Sequence, residues 1–179
     1  MTKIALIIGS LSRASINRTV AQHLAAQAPE GVTVEEVQIG DLPLYTQDLD
    51  SESIPAYERV RAQLLAADAV LIVSPEHNRS MPAAVKNLLD IASRPAGKSL
   101  WGGKKTAVIT ASPGSYGGIN SGLHIRQSLQ AMSADVMIAP EVFLSRAHTA
   151  LADGQVSDAR TAAFLNKFAA AFYGWAQTE

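Results

Sequence analysis

The segment Gly9-Ser10-Leu11-Ser12-Arg13-Ala14-Ser15-Ile16-Asn17 gathers three hydroxyls, one guanidinium and one amide. Placed before a helix, such groups surround unpaired N–H donors and partial positive charge, the setting of a phosphate site. An ordinary strand-to-helix turn with a serine cap fits the same residues equally well. A second segment, Ser74-Pro75-Glu76-His77-Asn78-Arg79-Ser80-Met81-Pro82, is polar between two prolines. Prolines stiffen the backbone, and a stiff backbone is what the edge of a planar heteroaromatic ring needs in order to meet N–H and C=O groups. A solvated loop is the plainer alternative. A third segment, Ser112-Pro113-Gly114-Ser115-Tyr116-Gly117-Gly118, holds three glycines, which permit close approach or positive φ. Other chemistry lacks its residues. There is no cysteine, and the four histidines (His23, His77, His124, His148) show no metal-ligand spacing. The G-x-x-x-x-G-K-[ST], G-x-G-x-x-G and G-x-S-x-G patterns are absent as well. His23 and His148 read as solvated.

These segments need elements to hold them. Lys3–Ile8 is an unbroken apolar run ending at Gly9, the signature of a strand buried on both faces. Ser15 is placed to cap a helix, with Ile16, Val20, Leu24 and Ala28 on its apolar face. Val32–Ile39 alternates and reads as a strand nearer the sheet edge. After a polar loop, Gly40–Ser53, Pro55 opens a second helix with Val60, Leu64 and Leu65 inward. Ala69–Val73 is a third strand. Met81–Ser93 is a helix with Val85, Leu88, Leu89 and Ala92 inward. Thr106–Thr110 is a fourth strand, Ile119–Met132 a helix, and Val136–Ile138 a short fifth strand stopped by Pro140. Ser157–Trp175 is a last helix carrying Phe164, Phe168, Ala171, Phe172 and Trp175. Strand and helix alternate five times, which calls for parallel pairing. The expected fold is α/β, a flavodoxin-like doubly wound sheet of five parallel strands in order 2-1-3-4-5 with helices on both faces. Its ligand crevice lies at the carboxyl ends of strands 1, 3 and 4, where all three unusual segments begin.

Composition narrows the class. The 179 residues suit one domain, residues 1–179, able to bury a core without disulfide or metal. Fifteen Lys and Arg against sixteen Asp and Glu give a net charge of −1, with no basic stripe for nucleic acid. Mean hydropathy is +0.09, yet no apolar run approaches a membrane span. The start, MTKIALIIGS, does not read as a signal peptide. The expectation is a cytoplasmic protein without a nucleic-acid or membrane partner.

Taken together, the segments resemble the NADPH-dependent FMN reductase family, flavodoxin-like proteins that include quinone and chromate reductases. The likeness runs from about Lys3 to Trp175. Gly9–Asn17 resembles the family's G-S-x-R-x-x-S-x-N phosphate loop, with the arginine one place later, at Arg13. Leu42–Leu49 (LPLYTQDL) is similar to its L-P-L-Y-x-x-D segment. Ser74–Asp90 (SPEHNRSMPAAVKNLLD) looks like its flavin loop and following helix, with His77 where the family has Tyr. Ala111–Gly118 (ASPGSYGG), followed by Leu123, Arg126 and Leu129, resembles its third loop and helix.

The resemblance implies FMN as cofactor and NADPH or NADH as hydride donor. By the same resemblance, Ser10, Leu11, Ser12, Arg13, Ser15, Ile16 and Asn17 would hold the phosphate end. Pro75, Glu76, His77 and Asn78 would meet the flavin ring, and Ser112, Pro113, Gly114 and Ser115 would approach its other side. His77, Arg79 and Tyr116 would face the substrates, with Arg79 a partner for a 2′-phosphate. His77 would either supply a proton to a reduced acceptor or simply line the pocket. No metal and no catalytic side chain is implied. The acceptor would be a quinone or a similar small molecule such as chromate or an azo compound. Homodimers or homotetramers are implied too, with the Leu42–Asp50 loop and the Arg126/Glu141 region at interfaces. Two alternatives stay open. One is an FMN reductase that releases reduced flavin to a partner monooxygenase. The other is a non-catalytic flavodoxin-like binding or electron-carrier protein, against which the charge of −1 argues, since such carriers are strongly acidic.

Overall fold

In a computed structural model that describes residues 1–178, the apolar runs become strands and the periodic segments become helices. The strands are β1 (Thr2–Ile8), β2 (Val32–Glu36), β3 (Ala69–Ser74), β4 (Lys105–Ala111), β5 (Asp135–Val136) and β6 (Val142–Leu144). The helices are α1 (Ile16–Ala25), α2 (Pro55–Ala66), α3 (Ala83–Ala92), α4 (Ile119–Ala131) and α5 (Ala159–Ala176). The main sheet is parallel and runs 2-1-3-4-5, as expected.

Alternation along the central strands divides the core into two faces. Ile4, Leu6 and Ile8 of β1 pack with Val20 and Leu24 of α1 and with Leu165, Phe168 and Phe172 of α5. Ala5 and Ile7 point the other way, toward Tyr57, Val60 and Leu64 of α2, Leu88 of α3 and Ile125 of α4. Leu65, expected inward, is 71% exposed, because it lies about 100° around α2 from Leu64 and Tyr57 takes the inner face. Phe164 is exposed for the same reason, and Leu165, Ala169 and Tyr173 complete the inward stripe of α5. That helix starts at Ala159, where the Asp158 carboxylate accepts from the Thr161 N–H at 2.7 Å. His23 is not merely solvated. Its Nε2 lies 2.8 Å from Asn166 Oδ1, joining α1 to α5.

The fifth strand position departs from expectation. Val136–Ile138 is not one strand. β5 pairs with the start of β4 through Thr106↔Val136, and β6 pairs with its end through Ile109↔Val142. Pro140 lies between them and cannot donate to a ladder. The gap is filled from the side. Arg126 of α4 sends Nη1 to Met137 O at 2.7 Å and Nη2 to Val108 O at 3.2 Å. Arg126 itself is therefore turned inward within the chain, with 8% exposure, while Glu141 beside it stays half-exposed. Burial pushes its pKa down from the usual arginine value, and Glu141, 3.9 Å away, opposes that. Beyond β6 the chain forms a small antiparallel hairpin, β7 (Leu151–Ala152) with β8 (Gln155–Val156).

Candidate functional site

Three crossovers leave the carboxyl ends of β1, β3 and β4, and the structure locks their loops to one another. Gly9 is where the first two meet. Its N–H donates to Val73 O at 2.8 Å, and a Cβ there would come within 2.7 Å of Ser74 Oγ and 2.8 Å of Val85 Cγ2. Only glycine allows that approach.

Within the first loop Ser15 caps α1, its Oγ accepting from the Arg18 N–H at 3.1 Å. The N–H groups of Ser15, Ile16 and Asn17 meet no acceptor among the described residues, as at any open helix start. Asn17 is 3% exposed, and its Nδ2 donates to Ala111 O at 3.2 Å, binding the first loop to the third. Its Oδ1 is buried without a partner. A buried acceptor left in that state has a missing donor. Arg18 is committed elsewhere, in a bidentate pair with Glu36 at 2.7 and 2.8 Å. That hydrogen-bonded pairing holds the Glu36 carboxyl below its usual pKa. Arg13 has no carboxylate partner among the described residues. With Ser15 and Thr19 it borders a cleft of about 400 Å³ between α1 and the Leu151–Gly154 hairpin. Leu11, Ser12 and Arg13 are exposed, and Ser10 and Ile16 are half-buried.

The second loop is stiff for a reason that its prolines only partly supply. Glu76 turns its carboxylate onto the start of α4, accepting from Asn120 N at 3.0 Å and Ser121 N at 3.3 Å. A carboxylate at a helix N-terminus is favourable. Ser121 Oγ donates to Pro75 O at 2.8 Å. His77 and Ser80 then exchange two backbone hydrogen bonds of 2.9 Å around Asn78 and Arg79. Asn78 (φ 49°) and Arg79 (φ 68°) are both left-handed, which makes a two-residue turn of the kind that favours Asn-Gly. Ser80 Oγ lies 3.0 Å from His124 Nδ1.

In the third loop Thr110 Oγ1 donates to Gly117 O at 2.7 Å. Gly117 has φ +63°, and a Cβ on it would meet Phe143 O at 2.6 Å. Ser112 N donates to Leu144 O, Ser112 Oγ accepts from Gly114 N, and Gly114 O accepts from Arg146 N. Pro113, Gly114 and Ser115 are exposed. The Arg79 guanidinium lies over the Tyr116 ring, 4.8 Å from its centroid, so the second and third loops also touch at their tips.

The residues read from the sequence as one site are thus brought to one end of the sheet. The braces behind them were not read. Glu76 keeps its backbone in the loop, where the resemblance implies that the ring lies, and its carboxylate serves α4. Ser121, Asn120 and Arg146 carry no sequence signal, because their partners, Pro75, Glu76 and Gly114, lie far along the chain. Among the described residues no group of three or more His, Asp or Glu is placed to hold a metal, and no helix is long and apolar enough to cross a membrane.

Comparison with known proteins decides the family. The family model of NADPH-dependent FMN reductases matches residues 2–149. The chain belongs to the NADPH-dependent FMN reductase family. A quinone reductase of Pseudomonas putida is 42% identical over 173 residues, covering 96% of this chain and 93% of the relative. A 2-hydroxy-1,4-benzoquinone reductase of a Burkholderia species is 39% identical over 174 residues, 97% of this chain and 95% of the relative. Among solved structures, FerB, a flavoenzyme NAD(P)H:(acceptor) oxidoreductase from Paracoccus denitrificans, superposes with a TM-score of 0.91. It is 35% identical, and the match covers 99% of this chain and 98% of that one. This reductase shares their length as well as their fold. FMN and a reduced nicotinamide are the cofactor and donor of this family, and the chemistry of the first loop is compatible with a flavin phosphate. That loop offers unpaired helix-start N–H groups, the orphaned buried amide oxygen of Asn17 for a hydroxyl donor, and the Arg13 guanidinium without a carboxylate among the described residues.

Proposed function

We propose that this single domain, residues 1–179, is an FMN-dependent NAD(P)H:quinone oxidoreductase whose cofactor sits across the three loops. The relatives named quinone reductase support the acceptor class. The observation that carries the placement is Asn17, whose buried amide ties the first loop to the third and leaves one oxygen awaiting a donor. Ser10, Ser12, Arg13, Ser15 and the N–H groups of α1 take the phosphate, and the Asn17 oxygen accepts from a hydroxyl of the ribityl chain. The backbone of Pro75–Asn78 meets one edge of the ring, and that of Ser112–Ser115 meets the other. His77, Arg79 and Tyr116 face whichever substrate is bound.

Bound flavin supplies the capacity to take a hydride from the nicotinamide and pass it on. Donor and acceptor use the same opening in turn. The quinone would receive one proton and two electrons as hydride, and a second proton, from water or His77, would complete the hydroquinone. What the protein adds is a fixed backbone. Glu76, Ser121 and the His77–Ser80 turn keep the ring-facing groups from moving. This reductase works in the cytoplasm as a homodimer or homotetramer. Leu44, 79% exposed, and Leu123, 48% exposed, support further apolar contacts.

The test is NADPH oxidation by the FMN-loaded protein with and without a quinone. Oxidation that depends on quinone, with parallel double-reciprocal lines as donor and acceptor are varied, is the expected result. Oxidation that requires free FMN in excess and is indifferent to quinone would favour flavin release instead.

A further inference from the structure

The mouth of the site carries a cation that nothing in the fold neutralises. Arg79 is exposed, and no carboxylate lies within ion-pair distance of it among the described residues. It is held all the same, with its guanidinium over the Tyr116 ring at 4.8 Å. Stacking fixes the plane of a guanidinium and leaves its N–H edge free.

Two further observations set Arg79 apart from a surface arginine. Its backbone is left-handed at φ 68°, in a turn position where glycine sits without strain. An ordinary side chain held there marks a place to look for function. The charge around it is also one-sided. Within the three loops the charged groups are Arg13, Arg79 and Glu76, with His77 as a titratable neighbour. The Glu76 carboxylate is taken up by the Asn120 and Ser121 N–H groups. Arg146, whose N–H holds Gly114 O, adds a third cation at the margin. His124, across Ser80, is the remaining titratable group on the packed side.

We propose that Arg79, clasped to Tyr116, sets the acceptor specificity of this reductase, and that the acceptors it selects are anionic quinones, ionised at a ring hydroxyl or bearing a carboxylate. This rests on the reading of the site as a flavin-dependent quinone reductase and names its substrate class. The paired N–H donors of the guanidinium match the oxygens of an enolate or a carboxylate. A neutral quinone offers only carbonyl oxygens and gains less. The reaction itself is unchanged: hydride from the reduced cofactor and a proton from water or His77 would yield the hydroquinone, and an acceptor ionised at a ring hydroxyl would take a second proton from water. Arg79 neither gains nor loses a proton in it.

The probes are 2-hydroxy-1,4-naphthoquinone, an anion near neutral pH, and 1,4-naphthoquinone, which is neutral. The FMN-loaded protein is reduced anaerobically with one equivalent of NADH and mixed with each, so the donor no longer competes. The ratio of the two rate constants, wild type against variant, cancels the difference in quinone potential. Arg79→Gln is expected to lower the anion-to-neutral ratio about tenfold, and Arg79→Lys to restore part of it. Calorimetry on the oxidised protein reads binding without turnover. The Kd for the hydroxyquinone should rise about tenfold in Arg79→Gln and rise with salt in the wild type. Arg79→Gly relaxes the turn, so it should lose the ratio while its melting temperature rises, which separates the charge from the fold. An unchanged ratio and Kd in Arg79→Gln, with the neutral quinone still reduced, would overturn the specificity and leave the quinone reductase intact. Failure of the wild type to reduce either quinone would overturn both.

Discussion

At the residue scale the site depends on a few polar atoms placed where the chain had no other use for them. Asn17 donates to Ala111 O from a buried position and keeps a second buried atom unpaired. Removing the amide in Asn17→Ala leaves Ala111 O without that donor, at a cost of about 1–2 kcal/mol. The same change removes the oxygen proposed for the ribityl chain. Urea unfolding should show the lower midpoint, and quenching of FMN fluorescence should show at least tenfold weaker binding. Retained FMN affinity would mean that Asn17 only holds the loops together. Ser15 is legible from the sequence as a cap, because a hydroxyl directly before an apolar helical stripe meets a free backbone N–H, whereas the tie of Asn17 to Ala111, 94 residues away, is not. The carboxylate of Glu76 was not legible. Its partners, Asn120 and Ser121, lie 44 and 45 residues away, and only the fold brings the start of α4 to it. The clasp of Arg79 on Tyr116 was hidden in the same way, although both residues had been picked out singly.

At the element scale the third loop hangs on the edge of the sheet, and the edge is made in two pieces. Gly117 shows how little room there is, since a Cβ would sit 2.6 Å from Phe143 O at a left-handed φ. Gly117→Ala should cost about 3 kcal/mol, from the left-handed penalty and the forced shift of β6 together. The loss should appear in thermal melting and, through the displaced loop, as weaker FMN binding. Arg126 stands in for the missing ladder by serving Met137 O and Val108 O. Arg126→Met keeps most of the volume and leaves both carbonyls unserved, which should cost about 3 kcal/mol. Hydrogen exchange should localise the opening to β5 and β6. Strands β1 and β3 could be read from sequence because burial on both faces leaves an unbroken apolar run, and β4 because β-branched threonines flank a shorter one. The fifth position could not, because two- and three-residue strands around Pro140 carry no period.

At the scale of the whole molecule, two faces of one sheet are closed by α1 and α5 on one side and by α2, α3 and α4 on the other. Tyr173 lies in the first of these cores, with its hydroxyl donating to Leu24 O at 2.9 Å. Burial pushes its pKa up to about 12 from the usual value near 10. Between those values the unfolded tyrosine loses its proton while the folded one keeps it, so stability falls as pH rises through that window. The loss is about 2 kcal/mol, and Tyr173→Phe should flatten it in urea titrations at stepped pH while costing about 1 kcal/mol at neutral pH. Light scattering at micromolar concentration should return two or four times the 18.9 kDa chain mass, and a monomer would contradict the proposed assembly. The proposed chemistry requires the three loops to hold a working flavin. It is tested most directly by the visible spectrum of the purified protein, with and without added FMN, followed by anaerobic NADPH. A flavin band that shifts on binding and bleaches within the mixing of one equivalent of NADPH is the predicted result. A protein that leaves the FMN spectrum unmoved and unreduced would contradict it.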